Sequence, residues 1–207
     1  MTYPKIDSLY KRDQRGAMLF GEFSRPEFEV LKDVEWEWVE KVDGMNARLI
    51  VADGQVRIGG RTDNAQIPAT LLSALDDILD QKMRVKLVEG FPDGAVLYGE
   101  GYGGKIQRGG GRYGETDFVM FDVRVGPWWL ERAAVEEIGI RYCLGVVPIV
   151  GRGTLSDLHA RVQGGVESAW GDFLAEGLVA RPPCGLLDRS GRRIITKLKA
   201  KDFGVTP

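Results

Sequence analysis

Histidine is almost missing from this chain, and cysteine is scarce. The 207 residues include one histidine, His159, and two cysteines, Cys143 and Cys184. That scatter matches no familiar zinc-ligand spacing. Neither cysteine has a neighbour in sequence that would activate a thiolate, and a single disulfide is not expected in a cytosolic chain. No serine stands in a Gly-x-Ser-x-Gly turn, so serine-histidine hydrolysis has no anchor either. Long apolar runs are also absent, and nothing approaches the ~20 residues of a membrane span. The N-terminus lacks the basic-then-apolar layout of a secretory signal, so a cytoplasmic protein is expected. A basic excess is missing too: 28 Lys and Arg against 30 Asp and Glu leave a net charge of −2. A protein that only grips nucleic acid usually carries a surplus, so any such contact must run through a local patch. Arg189, Arg192, Arg193, Lys197, Lys199 and Lys201 crowd the C-terminal end against only Asp188 and Asp202. A solvated surface explains those charges equally well.

What is present is ordinary in bulk, with 43% apolar and 28% charged residues, as in soluble globular proteins. The length suits one domain with a real core, and no repeat or low-complexity tract divides it. Glu35 to Val39 alternates polar and apolar, as does Asn46 to Val51, and both read as strands. Asp53-Gly54 before Gln55 to Ile58 signals a two-residue hairpin. Leu71, Leu72, Leu75, Ile78 and Leu79 recur at helical spacing and predict one amphipathic helix over residues 68–83. Ala95 to Gly99, Asp117 to Val125, Gly177 to Arg181 and Arg193 to Leu198 read as strands. Trp128 to Ile138 reads as a helix, and Thr154 with Asp157 as a capping box opening another. Hairpins outnumber strand-helix alternations, so the expected class is α+β with largely antiparallel sheets.

Five segments carry the candidate chemistry. The first is Glu40-Lys41-Val42-Asp43-Gly44-Met45-Asn46, a lysine between a strand and a hairpin. Leu97-Tyr98-Gly99-Glu100 ends a strand on a carboxylate. Phe118 to Val123 is an apolar strand with two aromatics. Glu176 opens the strand from Gly177. Thr196-Lys197-Leu198-Lys199 sets two lysines on one strand face. Each alone has a bland explanation: a turn, a hairpin charge, a core aromatic, an edge charge, a solvated face. Gly99-x-Gly101-x-Gly103 invites a dinucleotide-fold reading, but that motif needs a helix directly afterwards and none is evident. The stretch from Gly99 to Gly114 reads instead as a mobile loop near the site, with Lys105, Arg108 and Arg112 available for phosphates. A plain disordered loop fits nearly as well.

In this order, the segments resemble the covalent nucleotidyltransferases, the superfamily of ATP-dependent DNA and RNA ligases and mRNA-capping enzymes. The resemblance runs from the N-terminus to Phe203. Glu-Lys-x-x-Gly-x-Asn is similar to RNA ligases of the nick-sealing and RNA-editing type, where DNA ligases usually show arginine in place of Asn46. Lys197-Leu198-Lys199 followed by Phe203, and Arg61 after the hairpin, resemble the same group. Asp43 departs from it, since nick-sealing RNA ligases often have histidine there. A minimal DNA ligase and an inactive nucleic-acid-binding relative are the alternatives. The resemblance implies an ATP-grasp-like fold of two largely antiparallel sheets flanked by helices, with the nucleotide between the sheets. It also implies a single adenylyltransferase domain over residues 1–207, with no C-terminal OB or helical domain.

The implied activity is RNA ligation in three steps. Lys41 takes AMP from ATP, passes it to an RNA 5′-phosphate, and a 3′-hydroxyl then displaces it, possible substrates including a nicked duplex. A free lysine amine is mostly protonated at neutral pH, so nearby cations must favour the neutral nucleophile, and Lys197, Lys199 and a bound metal would do so. The same lysines would neutralise the transferring phosphoryl group. The resemblance places Glu176 on a Mg²⁺ or Mn²⁺ ion, Glu100 on the ribose and Phe121 on the adenine, with Phe118 the weaker stacking candidate. Glu40, Asn46 and Arg61 complete the nucleotide set. Lys105, Arg108, Arg112, Arg192 and Arg193 are the candidates for RNA phosphates. No membrane or protein partner is implied.

Overall fold

The computed structural model describes residues 2–206. In chain order the elements begin with β1 (Asp7–Ser8), β2 (Tyr10–Arg12), β3 (Met18–Phe23), α1 (Pro26–Val30) and β4 (Trp36–Glu40). Then come β5 (Met45–Ala52), β6 (Gln55–Gly60), α2 (Ala69–Ile78), α3 (Gln81–Gly90), β7 (Ala95–Tyr102), β8 (Asp117–Val125) and β9 (Trp128–Trp129). The chain continues through α4 (Arg132–Tyr142), β10 (Gly145–Val146), β11 (Ile149–Gly153), α5 (Leu155–Gln163), β12 (Gly177–Arg181) and β13 (Thr196–Lys199). Short 3₁₀ turns cover Gly110–Tyr113 and Ala200–Phe203. They form two compact units, Lys5–Val42 with Pro148–Pro207 and Met1–Pro4 with Asp43–Val147. No helix among the described residues is long and apolar enough to cross a membrane, and both cysteines are free and exposed.

The unit that carries Lys41 is built on a five-stranded sheet in the order β1-β13-β12-β4-β11, antiparallel except at the β1–β13 edge. Alternation decides its two faces. Trp36, Trp38, Leu178, Ala180 and Leu198 point to one side, where they pack with Leu155, Leu158 and Val162 of α5. Val39, Val179, Lys197 and Lys199 fall on the other. Helix α5 starts where the sequence predicts: Thr154 accepts from the Asp157 amide, and Asp157 accepts in return from the Thr154 amide. β2 and β3 form a separate two-stranded ribbon.

The second unit is a sheet in the order β10-β8-β7-β5-β6, with β9 added on β8. Ala47, Leu49, Leu97, Phe118 and Met120 line its apolar face beneath Leu71, Leu75, Leu87, Val135 and Tyr142 from the three helices. Asn46, Arg48, Tyr98 and Glu100 alternate to the opposite face. The Asp53-Gly54 turn has φ of 53° and 70°, the paired positive values that a type I′ hairpin requires and that favour Asp-Gly.

Two predicted helices differ. The helix expected over 68–83 is two, because the Asp80 side chain accepts from the Met83 amide and starts a second helix. An N-cap of this kind competes with continuing the first one. The helix expected from Trp128 begins only at Arg132. Trp128 and Trp129 instead pair with Val125 and Arg124 across a two-residue turn, and Trp129 packs on Tyr98 and Tyr3.

Candidate active site

Lys41 leaves the end of β4 with its amide bonded to the Gly177 carbonyl, 2.9 Å. Gly177 in turn stands opposite Lys199 in the β12–β13 register. Lys41, Gly177 and Lys199 therefore form one row across three adjacent strands, on the face away from the core. The middle position has no side chain, and Glu176 fills the gap. One carboxylate oxygen accepts from Lys199 Nζ at 2.5 Å, and the other accepts from Lys41 Nζ. Strict alternation would send Glu176 into the core beside Leu178. The departure occurs at Gly177, whose φ is 152°, a conformation that favours glycine. A Cβ at Gly177 would overlap the Leu198 carbonyl. Glycine thus both redirects the carboxylate and keeps the space between the two lysines clear.

The electrostatics follow from this geometry. Burial opposes ionisation of Glu176, but the charge of Lys41 and the hydrogen bonds from Lys199 and Lys41 outweigh it and hold the carboxyl below its ordinary range. Lys197 lies one row along on the same face, opposite Val179. Its own burial comes first, then the charges of Lys41 and Lys199, and together they lower its pKa to about 8 against partial relief from Glu176. The sign is clear. Between about 8 and the ordinary lysine value of 10.5, the unfolded chain binds more protons at this position than the folded one. The group's contribution to stability therefore rises with pH through that window. We expect acylating reagents at pH 8 to modify Lys197 about tenfold faster than the exposed Lys11 and Lys82, because its pKa is lowered to about 8. Peptide mapping checks this; equal rates would contradict it.

A divalent cation has one carboxylate here, and no group of three or more His, Cys, Asp or Glu that could hold a metal occurs among the described residues. Both Glu176 oxygens already receive ammonium groups, which marks a position where positive charge is stabilised. The donor set fits an ion such as Mg²⁺ that binds through one carboxylate and otherwise through phosphates and water.

Glu40 is placed differently from the lysines. It is buried on the core side, where it accepts from Ser168 Oγ at 2.8 Å and the Ala169 amide at 2.7 Å.

In the other unit, Asn46 and Glu100 stand directly opposite each other on β5 and β7. Asn46 Oδ1 is buried without a hydrogen-bond partner among the described residues, a state that a bound ligand, water or ion would relieve. Gly44 explains the glycine of the Lys41 motif: a Cβ there would overlap the Gly101 carbonyl and come within 2.8 Å of Glu100 Cγ. Overpacking of this kind costs roughly 1–3 kcal/mol. Gly44→Ala should therefore lower the melting temperature by several degrees, and an unchanged melting curve would contradict the argument. Phe118 is in the core, whereas Phe121 is half-buried at a bulge in β8, edge-on to Tyr3 at 5.0 Å.

The glycine-rich stretch also differs from expectation. β7 continues to Tyr102, and the loop beyond it is tied to the motif turn. Gln107 Nε2 donates to the Gly44 carbonyl at 3.0 Å, and the Asp43 amide donates to Tyr113 Oη at 3.2 Å. Lys105, Arg108 and Arg112 are exposed on this loop, and Arg61 is exposed after β6. Arg192 is held by Asp188, 2.9 Å, and Arg193 is half-buried. Asp188 also accepts from Arg25 at 2.7 Å, so this part of the basic tail is a structural knot. Sequence reasoning missed Arg48. It is fully buried, donates to the Gly60 carbonyl and to Asp63 at 2.9 Å, and so fixes the loop that carries Arg61. The available signal was a charged residue alternating with Asn46 inside an otherwise apolar strand.

A family model described as RNA ligase matches residues 34–199. Among solved structures, a variant Naegleria gruberi RNA ligase with ATP and manganese superposes with a TM-score of 0.67 at 18% identity, covering 97% of this chain and 58% of that one. The same organism's RNA ligase with pyrophosphate gives 0.67 at 19% identity, covering 97% and 62%. An archaeal ATP-dependent RNA ligase gives 0.66 at 17% identity, covering 98% and 49%. The chain thus spans about three-fifths or less of these proteins' length, and at such identities the likeness is one of fold. No curated protein matches the sequence.

Proposed function

Because the chain belongs to the RNA ligase family, we propose that it joins RNA 5′-phosphate and 3′-hydroxyl ends at the expense of ATP, through AMP carried on Lys41. The observation that carries this reading is the row Lys41–Gly177–Lys199 closed by Glu176. It sets a nucleophile beside a second ammonium, with a carboxylate between them and Lys197 adjacent.

In the first step Lys41 Nζ forms a bond to the α-phosphorus, and the bond from that phosphorus to the bridging oxygen of pyrophosphate breaks. Lys41 donates to Glu176 as an ammonium, so it must lose a proton and leave that carboxylate before its lone pair is available. Lys197 and Lys199 offset charge on the transferring group. A Mg²⁺ or Mn²⁺ ion, held by Glu176 together with nucleotide phosphates, supplies further charge neutralisation when bound. Glu100 accepts from the ribose hydroxyls, Asn46 Oδ1 finds its missing donor on the substrate, and Phe121 offers its ring to the adenine. Residues 1–207 serve this reading as one adenylyltransferase module.

The test is a sealing assay with ATP and Mg²⁺ or Mn²⁺ on matched 5′-phosphate/3′-hydroxyl substrates of RNA, DNA and hybrid nicks, with single strands beside them. RNA 3′-ends sealed in preference to DNA support the proposal. DNA sealed as well as RNA would replace it with the minimal DNA ligase, and binding without joining or AMP transfer would replace it with a non-catalytic relative.

A further inference from the structure

Phe20 is 47% exposed, and no other aromatic among the described residues of the Lys41 unit is as open. It lies on β3 of the two-stranded ribbon, with its ring stacked on Phe203 at 4.8 Å and 28°. Phe203 ends the 3₁₀ turn that follows β13. Tyr10 and His159 brace the pair: Tyr10 Oη and His159 Nδ1 are joined at 3.0 Å, and both rings meet Phe20 edge-on. Arg12 of β2 pairs with Asp202 at 2.7 Å and fastens the ribbon to the same turn. A single exposed phenylalanine needs no explanation. A stacked pair braced by two further rings and an ion pair is different, because Phe20 cannot turn inward to escape water.

The nearby charges add a second observation. Asp13 is taken up by the ribbon turn, accepting from the Arg15 and Ala17 amides at 2.8 Å each, and Asp202 is taken up by Arg12. Lys11 meets Glu22 at 3.5 Å with both side chains more than half exposed, a pair worth little in water. Arg15 at the ribbon tip and Lys201 in the turn of Phe203 remain exposed, with no carboxylate partner among the described residues. Lys5, Arg12 and Lys201 also line the cleft of Lys197 and Lys199, and Lys199 shares the Glu176 carboxylate with Lys41. Positive side chains therefore lead from Lys41 through Lys199 and Lys201 to the aromatic pair. Cations along a track with an aromatic platform suit a single nucleic-acid strand, since cations follow the phosphates and a ring accepts the face of any base. Internal bases of a duplex are already stacked and cannot reach such a platform. We propose that Phe20, backed by Phe203, is a stacking platform for an unpaired base of an RNA strand whose end lies at Lys41, with Arg15 and Lys201 on its phosphates. This rests on the ligase reading for the strand end at Lys41, and on the ribbon alone for the platform.

Fluorescence anisotropy with a labelled single-stranded oligouridylate, without ATP or metal, tests it on the whole chain. An abasic ribose-phosphate strand of equal length serves as the second probe. The variants are Phe20→Ala, Phe20→Leu, which retains apolar packing without a stacking ring, Phe20→Trp, and Arg15→Ala/Lys201→Ala. Oligouridylate should bind Phe20→Ala and Phe20→Leu roughly tenfold more weakly than wild type, and Phe20→Trp at least as tightly. The abasic strand should bind wild type and the three Phe20 variants alike. Arg15→Ala/Lys201→Ala should weaken both probes and reduce the slope of log affinity against log salt by about 1.4, the share of two phosphate contacts. Unchanged oligouridylate affinity in Phe20→Leu overturns the proposal, as does an equal loss on the abasic strand. Unchanged RNA affinity with an altered oligomeric state by light scattering also overturns it and assigns the face to a protein contact. If RNA binding behaves as stated while no AMP is ever transferred to Lys41, the platform stands and the ligase reading falls. If AMP reaches Lys41 while the Phe20 variants bind like wild type, only the platform falls.

Discussion

Lys41→Ala should abolish ATP-dependent joining, by at least about 10³-fold, yet retain joining of an RNA whose 5′-end has been chemically adenylated to within about tenfold. The split arises because Lys41 is needed as a nucleophile only until AMP reaches the 5′-phosphate. The last bond is made by the 3′-hydroxyl. Lys41→Arg sharpens the test. A guanidinium retains an ion pair with Glu176 but remains protonated at any usable pH, so it should lose the first step as completely as alanine. Gel analysis of both substrates separates these outcomes. Equal loss on both would mean that the change had damaged the site rather than removed a nucleophile.

Glu40→Ala should be the most destabilising single change near the centre. Glu40 is 2% exposed and accepts from Ser168 Oγ and the Ala169 amide. The turn it holds is closed by the Ser168 amide on the Phe173 carbonyl, 2.8 Å, and by the Ala175 amide on the Val166 carbonyl, 2.8 Å. That segment delivers Glu176. Hydrogen bonds to a charged acceptor are worth about 1.5–3 kcal/mol each, so losing two costs roughly 3 kcal/mol or more. At this size the melting temperature should fall by roughly 6–12 °C. Glu40→Gln retains the shape and one acceptor and should lose about half as much. If Glu40 instead contacts the nucleotide directly, Glu40→Gln raises KM for ATP with little change in melting, and the positioning role fails.

The parts legible in the sequence were those encoded by neighbouring residues. Asp53-Gly54 announces its hairpin because few other pairs tolerate two positive φ values. Thr154 and Asp157 announce a helix start because each can satisfy the other's backbone. The order of the candidate motifs pointed to Lys41, Glu176, Lys197 and Lys199, which lie on one sheet face. What stayed hidden depends on distant partners. Apolar spacing continues smoothly through Leu79, so only the Asp80 cap reveals the break between α2 and α3. Trp128 and Trp129 fit a helical pattern, but pairing with Arg124 and Val125 and packing against Tyr3 outweigh it. Glu40 stands next to Lys41 in sequence, yet strand alternation sends it to the core. Lys5 joins the lysine cluster only because β1 pairs with a strand near the other end of the chain. The bond from Arg192 to Asp188 likewise shows only in the folded chain.

Ligation through this site turns most directly on whether AMP becomes bonded to Lys41. The measurement is incubation with α-labelled ATP and Mg²⁺ or Mn²⁺, with GTP in parallel, followed by denaturation, intact mass and peptide mapping. The predicted result is label from ATP alone, confined to the peptide containing Lys41, with an AMP-sized increase in mass that pyrophosphate reverses. Label on any other residue, or no label in a folded protein that carries no AMP as purified, would contradict the account.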